Sequence, residues 1–157
     1  MSLYASSYKS PIGVLGILCN ESSVYHIGIS RFNLIDMYDD TEEKDSEIIV
    51  ETKLWLDTYF SGKKPDFTPQ LELYGTVFQK KVWNELLSIP FGQTTTYGEI
   101  AKRVGCRCAQ AVGQVIGQNP ILIIVPCHRV VAAGGKIGGF SAGIERKRWL
   151  LENEKQI

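Results

Sequence analysis

The most constraining feature of this sequence is the apolar run ILIIVPCHRVV at residues 121–131, which is interrupted by a cysteine, a histidine and an arginine. A continuous apolar run is typical of a buried element, and we predict a buried strand over residues 121–126 with Cys127 at its end. The fold must therefore place a nucleophile and a titratable ring in or beside its core. Because neighbouring side chains of a strand diverge, contact between Cys127 and His128 requires a turn or a bridging water.

The neighbours of Cys127 decide whether its thiol is structural or reactive. A lone buried cysteine is more often structural. A thiol attacks as the thiolate, and its free pKa of roughly 8.5 leaves it mainly protonated at neutral pH. His128 is a candidate base, so a catalytic Cys127 is expected to have a pKa below the free value. His26, which lies among alternating apolar residues, is expected to be an ordinary strand residue.

The chain of 157 residues has room for one ordinary domain or two small ones, and its patterns predict two. The first, residues 1–72, is expected to be an α/β domain with a structural role. It begins with two alternating apolar runs around Asn20 that predict a β-hairpin, followed by an acidic segment, Arg31 to Glu47, that is expected to be irregular. A helix is then predicted from Ile48 to Tyr59, with apolar residues at Ile49, Leu54, Trp55 and Tyr59.

The second domain, residues 73–157, reads as mainly helical. We predict a helix from Thr76 to Ser88, a second after the N-cap Thr96 with Glu99 as capping-box partner, and a third from Cys108 to Gln118. The last two form a helix-turn-helix pattern. The third is rich in alanine and glycine, which indicates close approach of a neighbour, either another helix or a nucleic-acid backbone.

Charge is distributed unevenly along the chain. Residues 1–75 contain 6 Lys and Arg against 12 Asp and Glu, whereas residues 76–157 contain 11 against 5. A basic second part suits a phosphate-contacting surface, although a solvated face is the commoner explanation.

Cysteine spacing and hydropathy exclude several classes of protein. The four cysteines show no spaced framework, and the first residues do not resemble a secretory leader, so a secreted disulfide scaffold is not expected. Cys106 and Cys108 have the wrong spacing for zinc, so no metal is expected. No apolar run approaches the ~20 residues that cross a bilayer. We therefore expect a protein of the cytoplasm, or of the nucleus in a eukaryote, without membrane association.

Several motifs in order resemble the O6-alkylguanine-DNA alkyltransferase family. They are FQKKVWNELLSIPFGQTTTYGEIA, NPILIIV, PCHRV and GGFSAGIERKRWLLENE, which together cover essentially all of the second domain. The opening YKSPIG matches the family more loosely. Together with the element pattern, the resemblance implies an α/β fold, with a small mixed domain on a short antiparallel sheet and a helical, winged-helix-like domain with a helix-turn-helix.

The resemblance also implies an activity. A member of this family binds double-stranded DNA, rotates an O6-alkylguanine out of the stack and moves the alkyl group irreversibly and stoichiometrically to its own cysteine. O4-alkylthymine is a second candidate substrate. The implied protein is a monomer that needs no cofactor.

By position in the motifs, four residues acquire implied catalytic roles. Cys127 is the alkyl acceptor, His128 acts as its base through a water, and Glu154 orients the histidine. Asn119 connects the recognition helix to the active-site loop.

The resemblance also implies which residues form a substrate pocket. Tyr97 donates to the guanine and stabilises the charge left on it, and Ser141 lies near the O6 position. Val125 and Val130 frame the pocket.

The implied DNA contacts come from the small-residue helix, which enters the minor groove with Ala109, Ala111 and Gly113. The family's arginine in R-A-V-G is replaced by Gln110 in this chain. Glutamine is shorter and uncharged, so it fills less of the gap that an extruded base leaves, and Arg107 is a candidate substitute.

Three alternative functions can be distinguished from alkyl transfer. A sensor that binds alkylated guanine without repairing it would lack Cys127, and a helix-turn-helix regulator would need no PCHRV. A cysteine hydrolase would turn over repeatedly, whereas an alkyltransferase stops after one event.

Overall fold

The computed structural model describes residues 2–29 and 41–155. It divides into two compact units, Met1–Leu73 and Tyr74–Ile157. Within the described residues, no helix is both long and apolar enough to cross a membrane.

The first unit is built on a four-stranded sheet with the order β3-β2-β1-β4, in which β4 runs parallel to β1 and the other pairs are antiparallel. The strands are β1 (Leu3–Ser10), β2 (Gly13–Cys19), β3 (Val24–Ile29) and β4 (Thr41–Glu43). The predicted hairpin joins β2 to β3. Its turn is held by the side-chain oxygen of Asn20, which accepts from the backbone N–H groups of Ser22 at 2.8 Å and Ser23 at 2.6 Å. His26 lies on β3, as predicted.

The acidic segment Arg31 to Glu47 was expected to be irregular. Residues 31–40 of it lie outside the described residues, and the expectation is wrong for Thr41–Glu43, which form β4. A strand of three residues is too short to leave an alternating pattern in the sequence.

The predicted helix of the first unit is α1 (Glu47–Phe60), which begins at the N-cap Ser46. Its buried face contains Ile49, Trp55 and Tyr59, as predicted. Leu54 was placed on that face wrongly, because its side chain is 55% exposed. Position 54 lies about 100° around the helix from position 55, and Thr52 occupies the buried face instead.

The second unit contains four helices and one short parallel strand pair among its described residues. The elements are α2 (Val77–Leu86), β5 (Thr95–Thr96), α3 (Tyr97–Val104), α4 (Ala109–Gly117), β6 (Val130–Val131) and α5 (Ile144–Glu154). The indole N–H of Trp83 on α2 donates to the carbonyl of Val115 at 2.9 Å and anchors α4. The predicted fold class, a small sheet domain followed by a mainly helical one with a helix-turn-helix, is confirmed.

The helix boundaries follow local capping chemistry. Thr96 caps α3 by accepting from the N–H of Glu99 at 3.1 Å. The Glu99 carboxylate pairs with Arg103 at 3.4 Å, and the reciprocal capping box is found instead at Thr76 and Gln79 of α2. Gly105 ends α3 in the left-handed conformation, with φ of 74°.

The predicted strand over residues 121–126 is wrong. These residues form a buried irregular turn in which the N–H of Ile124 donates to the carbonyl of Leu122 at 2.9 Å. Ile123 has a φ of 73°, a conformation that is strained for a β-branched residue. A segment that is buried on all sides shows no periodicity, so its apolar sequence cannot separate a strand from a buried turn.

Candidate active site

The cysteine and histidine of the PCHRV motif lie in a single 3₁₀ turn, Cys127–Arg129. The turn supplies the change of direction that an extended strand would not have provided. Both side chains are buried, with Cys127 2% exposed and His128 0% exposed.

The segment before this turn is held by Asn119. Its side-chain amide donates to the carbonyl of Val125 at 2.7 Å, and its oxygen accepts from the N–H of Ile121 at 3.0 Å. Asn119 follows directly after α4, so it connects the end of that helix to the backbone leading into Cys127.

Cys127 lies at the wall of a cavity of about 490 Å³. A cavity of this size accommodates a small organic ligand. Six residues predicted to form the site line it: Tyr97, Ala109, Gln110, Gly113, Cys127 and Ser141.

Seven other predicted site residues are not part of the lining, among them His128, Glu154 and Asn119. Val125 and Val130 are fully buried. Arg107 is exposed, and Ala111 is half-buried.

Glu154 holds His128 from α5. The Nε2 atom of His128 lies 2.5 Å from Oε2 of Glu154, and both side chains are buried. Burial raises the pKa of Glu154, but its hydrogen bonds to His128 and Arg129 and the charge of Arg129 outweigh it and hold the pKa well below its usual range. An ionised carboxylate can only accept, so Nε2 of His128 carries the proton and the lone pair of the neutral ring lies on Nδ1.

Burial governs the resting state of the thiol. It raises the pKa of Cys127 to about 11, against the opposing effects of the hydrogen bond to Asn119 and the charge of Lys147. The expectation of a pKa below the free value is therefore wrong. The thiol is protonated at rest, so a base has to remove its proton when it reacts.

Lys147 is a buried residue of the site that sequence reasoning missed. Its Nζ donates to the carbonyl of Val130 at 2.6 Å and to that of Gly139 at 3.0 Å, and it lies 3.5 Å from Oη of Tyr97. Burial lowers the pKa of Lys147 to about 8. The available signal was its helical spacing, three residues before Leu150 and seven before Glu154, on one buried face of α5.

Tyr97, the first residue of α3, is fixed by the loop that contains Gly138 and Gly139. Its hydroxyl donates to the carbonyl of Gly139 at 3.2 Å. Gly138 has a φ of 71°, and a Cβ there would lie 3.2 Å from the Tyr97 hydroxyl. The positive φ therefore favours glycine at this position, and the close Tyr97 ring leaves little room for a side chain. The same loop carries Ser141 to the cavity.

The glycines of α4 are not explained by packing within the described part of the protein. A Cβ at Gly113 would make an ordinary contact of 3.6 Å with the Tyr97 ring, and a Cβ at Gly117 would meet nothing within 4 Å. Both glycines line the cavity. Their missing side chains leave space on the cavity side of the helix.

In residues 2–29 and 41–155, no three His, Cys, Asp or Glu side chains lie close enough together to hold a metal ion.

The sequence matches two family models, one for each unit. Residues 77–156 match "6-O-methylguanine DNA methyltransferase, DNA binding domain", and residues 3–73 match "6-O-methylguanine DNA methyltransferase, ribonuclease-like domain". The chain is similar to the methylated-DNA–protein-cysteine methyltransferase of Methanosarcina acetivorans, with 39% identity over 97% of this chain and 98% of that protein. It is 42% identical to the protein of the same name from Mycobacterium leprae, over 98% of this chain and 93% of that protein.

A solved structure has the same architecture. The crystal structure of Mycobacterium tuberculosis OGT in complex with DNA aligns with a TM-score of 0.86 and 39% identity, over 99% of this chain and 93% of that one.

Proposed function

Since this chain belongs to the 6-O-methylguanine DNA methyltransferase family, we propose that it repairs double-stranded DNA by moving the alkyl group of O6-alkylguanine to Cys127. The observation that carries the assignment of the acceptor is the position of Cys127. Its thiol lies at the wall of the 490 Å³ cavity, in the same turn as a histidine paired with a buried carboxylate.

The reaction is a displacement at the alkyl carbon. The thiol proton of Cys127 passes through a water to Nδ1 of His128, and Glu154 stabilises the imidazolium that forms. Sγ then bonds to the alkyl carbon, while the carbon–O6 bond breaks and its electron pair stays on the guanine. The thioether is stable and nothing in the reaction restores the thiol, so each molecule acts once without a cofactor.

Tyr97 and Lys147 stabilise the negative charge that develops on the guanine. The Tyr97 hydroxyl lies at the cavity and exchanges its bond to the Gly139 carbonyl for one to the guanine, and the buried cation of Lys147 lies beside it. Donors and cations fixed where negative charge develops lower the barrier to reaction. Ser141, from the loop beside Tyr97, contacts the O6 position.

DNA binds along α4. Ala109, Ala111 and Gly113 approach the minor groove, and Gln110 occupies the gap left by the extruded base, with Arg107 as a nearby cation. The small-residue lining of the cavity supports this arrangement, since packing within the described residues does not account for Gly117. Residues 73–157 thus bind DNA and accept the alkyl group, residues 1–72 have a structural role, and the protein acts as a monomer.

Mass spectrometry after incubation with a methylated duplex tests this function. We expect each molecule to gain one methyl group, on the peptide that contains Cys127. Cys108→Ser, which changes an exposed cysteine, should retain the transfer. Cys127→Ala should lose it but still bind DNA, because affinity comes mainly from phosphate and groove contacts.

Three results would contradict the proposal. They are methylation of another residue, release of free methyl product over many turnovers, and binding of methylated DNA without transfer. The last two correspond to the hydrolase and the sensor.

A further inference from the structure

The two oxygens of the Glu154 carboxylate have different partners. Oε2 lies against His128, whereas Oε1 accepts from Nε of Arg129 at 2.8 Å and from the backbone N–H of Gly92 at 3.0 Å. The Arg129 and Glu154 side chains are 9% and 1% exposed, so the ion pair is buried. These contacts restrain rotation of the carboxylate and direct its other oxygen at His128.

Arg129 is itself held by a different part of the unit. Its Nη1 donates to the carbonyl of Ile89 at 2.7 Å, and its guanidinium lies 5.6 Å from the centre of the Phe91 ring. The turn after α2 therefore fixes the arginine, and the arginine fixes the carboxylate.

The charges around His128 oppose one another. Burial has the largest effect and lowers the pKa of His128, Glu154 raises it, and the cations Arg129 and Lys147 lower it again. A buried histidine facing a carboxylate alone would tend to rest as the imidazolium, which has no lone pair to accept a proton. The nearby cations reduce the effective charge of that carboxylate.

We propose that Arg129 is a positioning residue for alkyl transfer, which keeps His128 neutral and oriented by binding the second oxygen of Glu154. This role rests on the proposed function, because it concerns the base that removes the thiol proton. A lysine at position 129 would keep the charge but could not make the same set of contacts, since it has one nitrogen in place of a planar fork.

The histidine content of the chain makes a direct test possible. There are two histidines, His128 and His26, and His26 lies on β3 of the other unit. Imidazole ¹⁵N and ¹³C resonances can therefore be titrated in the intact protein, with His26 as an internal control. In wild-type protein at pH 7 we expect His128 to be neutral with its proton on Nε2.

Variants at position 129 then test the effect of the charge. In Arg129→Gln we expect the pKa of His128 to rise by roughly 1–3 units, the usual effect of a nearby charge. Arg129→Lys should produce a smaller rise, and His26 should not move. Arg148→Gln, which changes an exposed arginine of α5, is the matched control.

Single-turnover transfer should follow the titration. His128 accepts a proton only when it is neutral, so the acidic limb of the pH–rate profile should move to higher pH in Arg129→Gln, by the same amount as the pKa. A loss of rate that is equal at every pH indicates a merely structural arginine and overturns the proposal.

Two further results also overturn it. One is an unchanged pKa of His128 in Arg129→Gln. The other is a wild-type His128 that is already imidazolium at pH 7, a measurement that stands even if Arg129→Gln does not fold. Absence of transfer by wild-type protein would instead refute the proposed function and, with it, the positioning role of Arg129. The titration would still show whether Arg129 controls the charge of His128.

Discussion

His128 and Glu154 should behave as one catalytic unit, and this is tested by replacing each with glutamine, separately and together. A positioned general base contributes about 10²- to 10⁴-fold to a rate. The 2.5 Å contact between His128 and Glu154 is the structural reason to treat the two residues as sharing a single contribution of this size. The double variant should therefore react within about tenfold of the slower single variant, because residues that act as a unit are not additive.

The assay is single-turnover alkyl transfer from a methylated duplex, with the fraction of folded protein measured for each variant. Folding has to be measured because Glu154→Gln also removes the partner of buried Arg129, a change that costs about 3–5 kcal/mol of stability. Glu152→Gln, at an exposed position of the same helix, controls for loss of charge. If the double variant shows the product of the two single losses, the residues work independently and the relay is refuted.

Three further predictions concern DNA. Gln110→Arg should speed repair in a duplex but leave reaction with free O6-benzylguanine nearly unchanged, since only a stacked base has to be extruded. The control is Gln114→Arg, which changes an exposed residue of the same helix. Equal changes in rate on both substrates would show that position 110 has no role in extrusion. Affinity for duplex DNA, measured by fluorescence anisotropy, should fall by about tenfold or more between about 50 and 200 mM salt as phosphate counterions are released, and a flat response would contradict binding through phosphates. Gly117→Ala should raise the free energy of unfolding by about 0.4–1 kcal/mol, because position 117 is helical and has space for a methyl group. The same variant should repair DNA more slowly, because that methyl group enters the cavity. The control Gly105→Ala should instead destabilise the protein, because Gly105 has a φ of 74°. If Gly117→Ala repairs DNA at an unchanged rate, α4 does not approach the DNA at position 117.

The parts of the fold that could be predicted from sequence are those governed by neighbouring residues. Thr96 and Gly105 mark the two ends of α3 because capping is a contact between residues close in the chain. The helix-turn-helix follows from such local signals.

The errors that concern the site arose where the outcome depends on burial. Residues 121–126 are apolar whether they form a strand or a turn, so their sequence does not distinguish the two. The pKa of Cys127 depends on how completely the folded chain excludes water. Lys147 was missed because its charge suggests exposure, although its helical spacing to Leu150 and Glu154 indicates the buried face. For the candidate site, the motifs predicted six residues that line one cavity. That Arg129 and Gly92 bind Glu154 could be seen only in the structure.

The burial of Cys127 has a consequence for the lifetime of the unused protein in the cell. A reagent that can be used once is wasted whenever a stray electrophile or oxidant reaches it first. Because burial raises the pKa of Cys127 to about 11, the resting thiol is protonated at pH 7, and a side chain 2% exposed offers little surface for collision. Metabolites and oxidants that readily consume exposed thiolates should therefore spare this one, so that its single reaction is kept for a base delivered into the cavity.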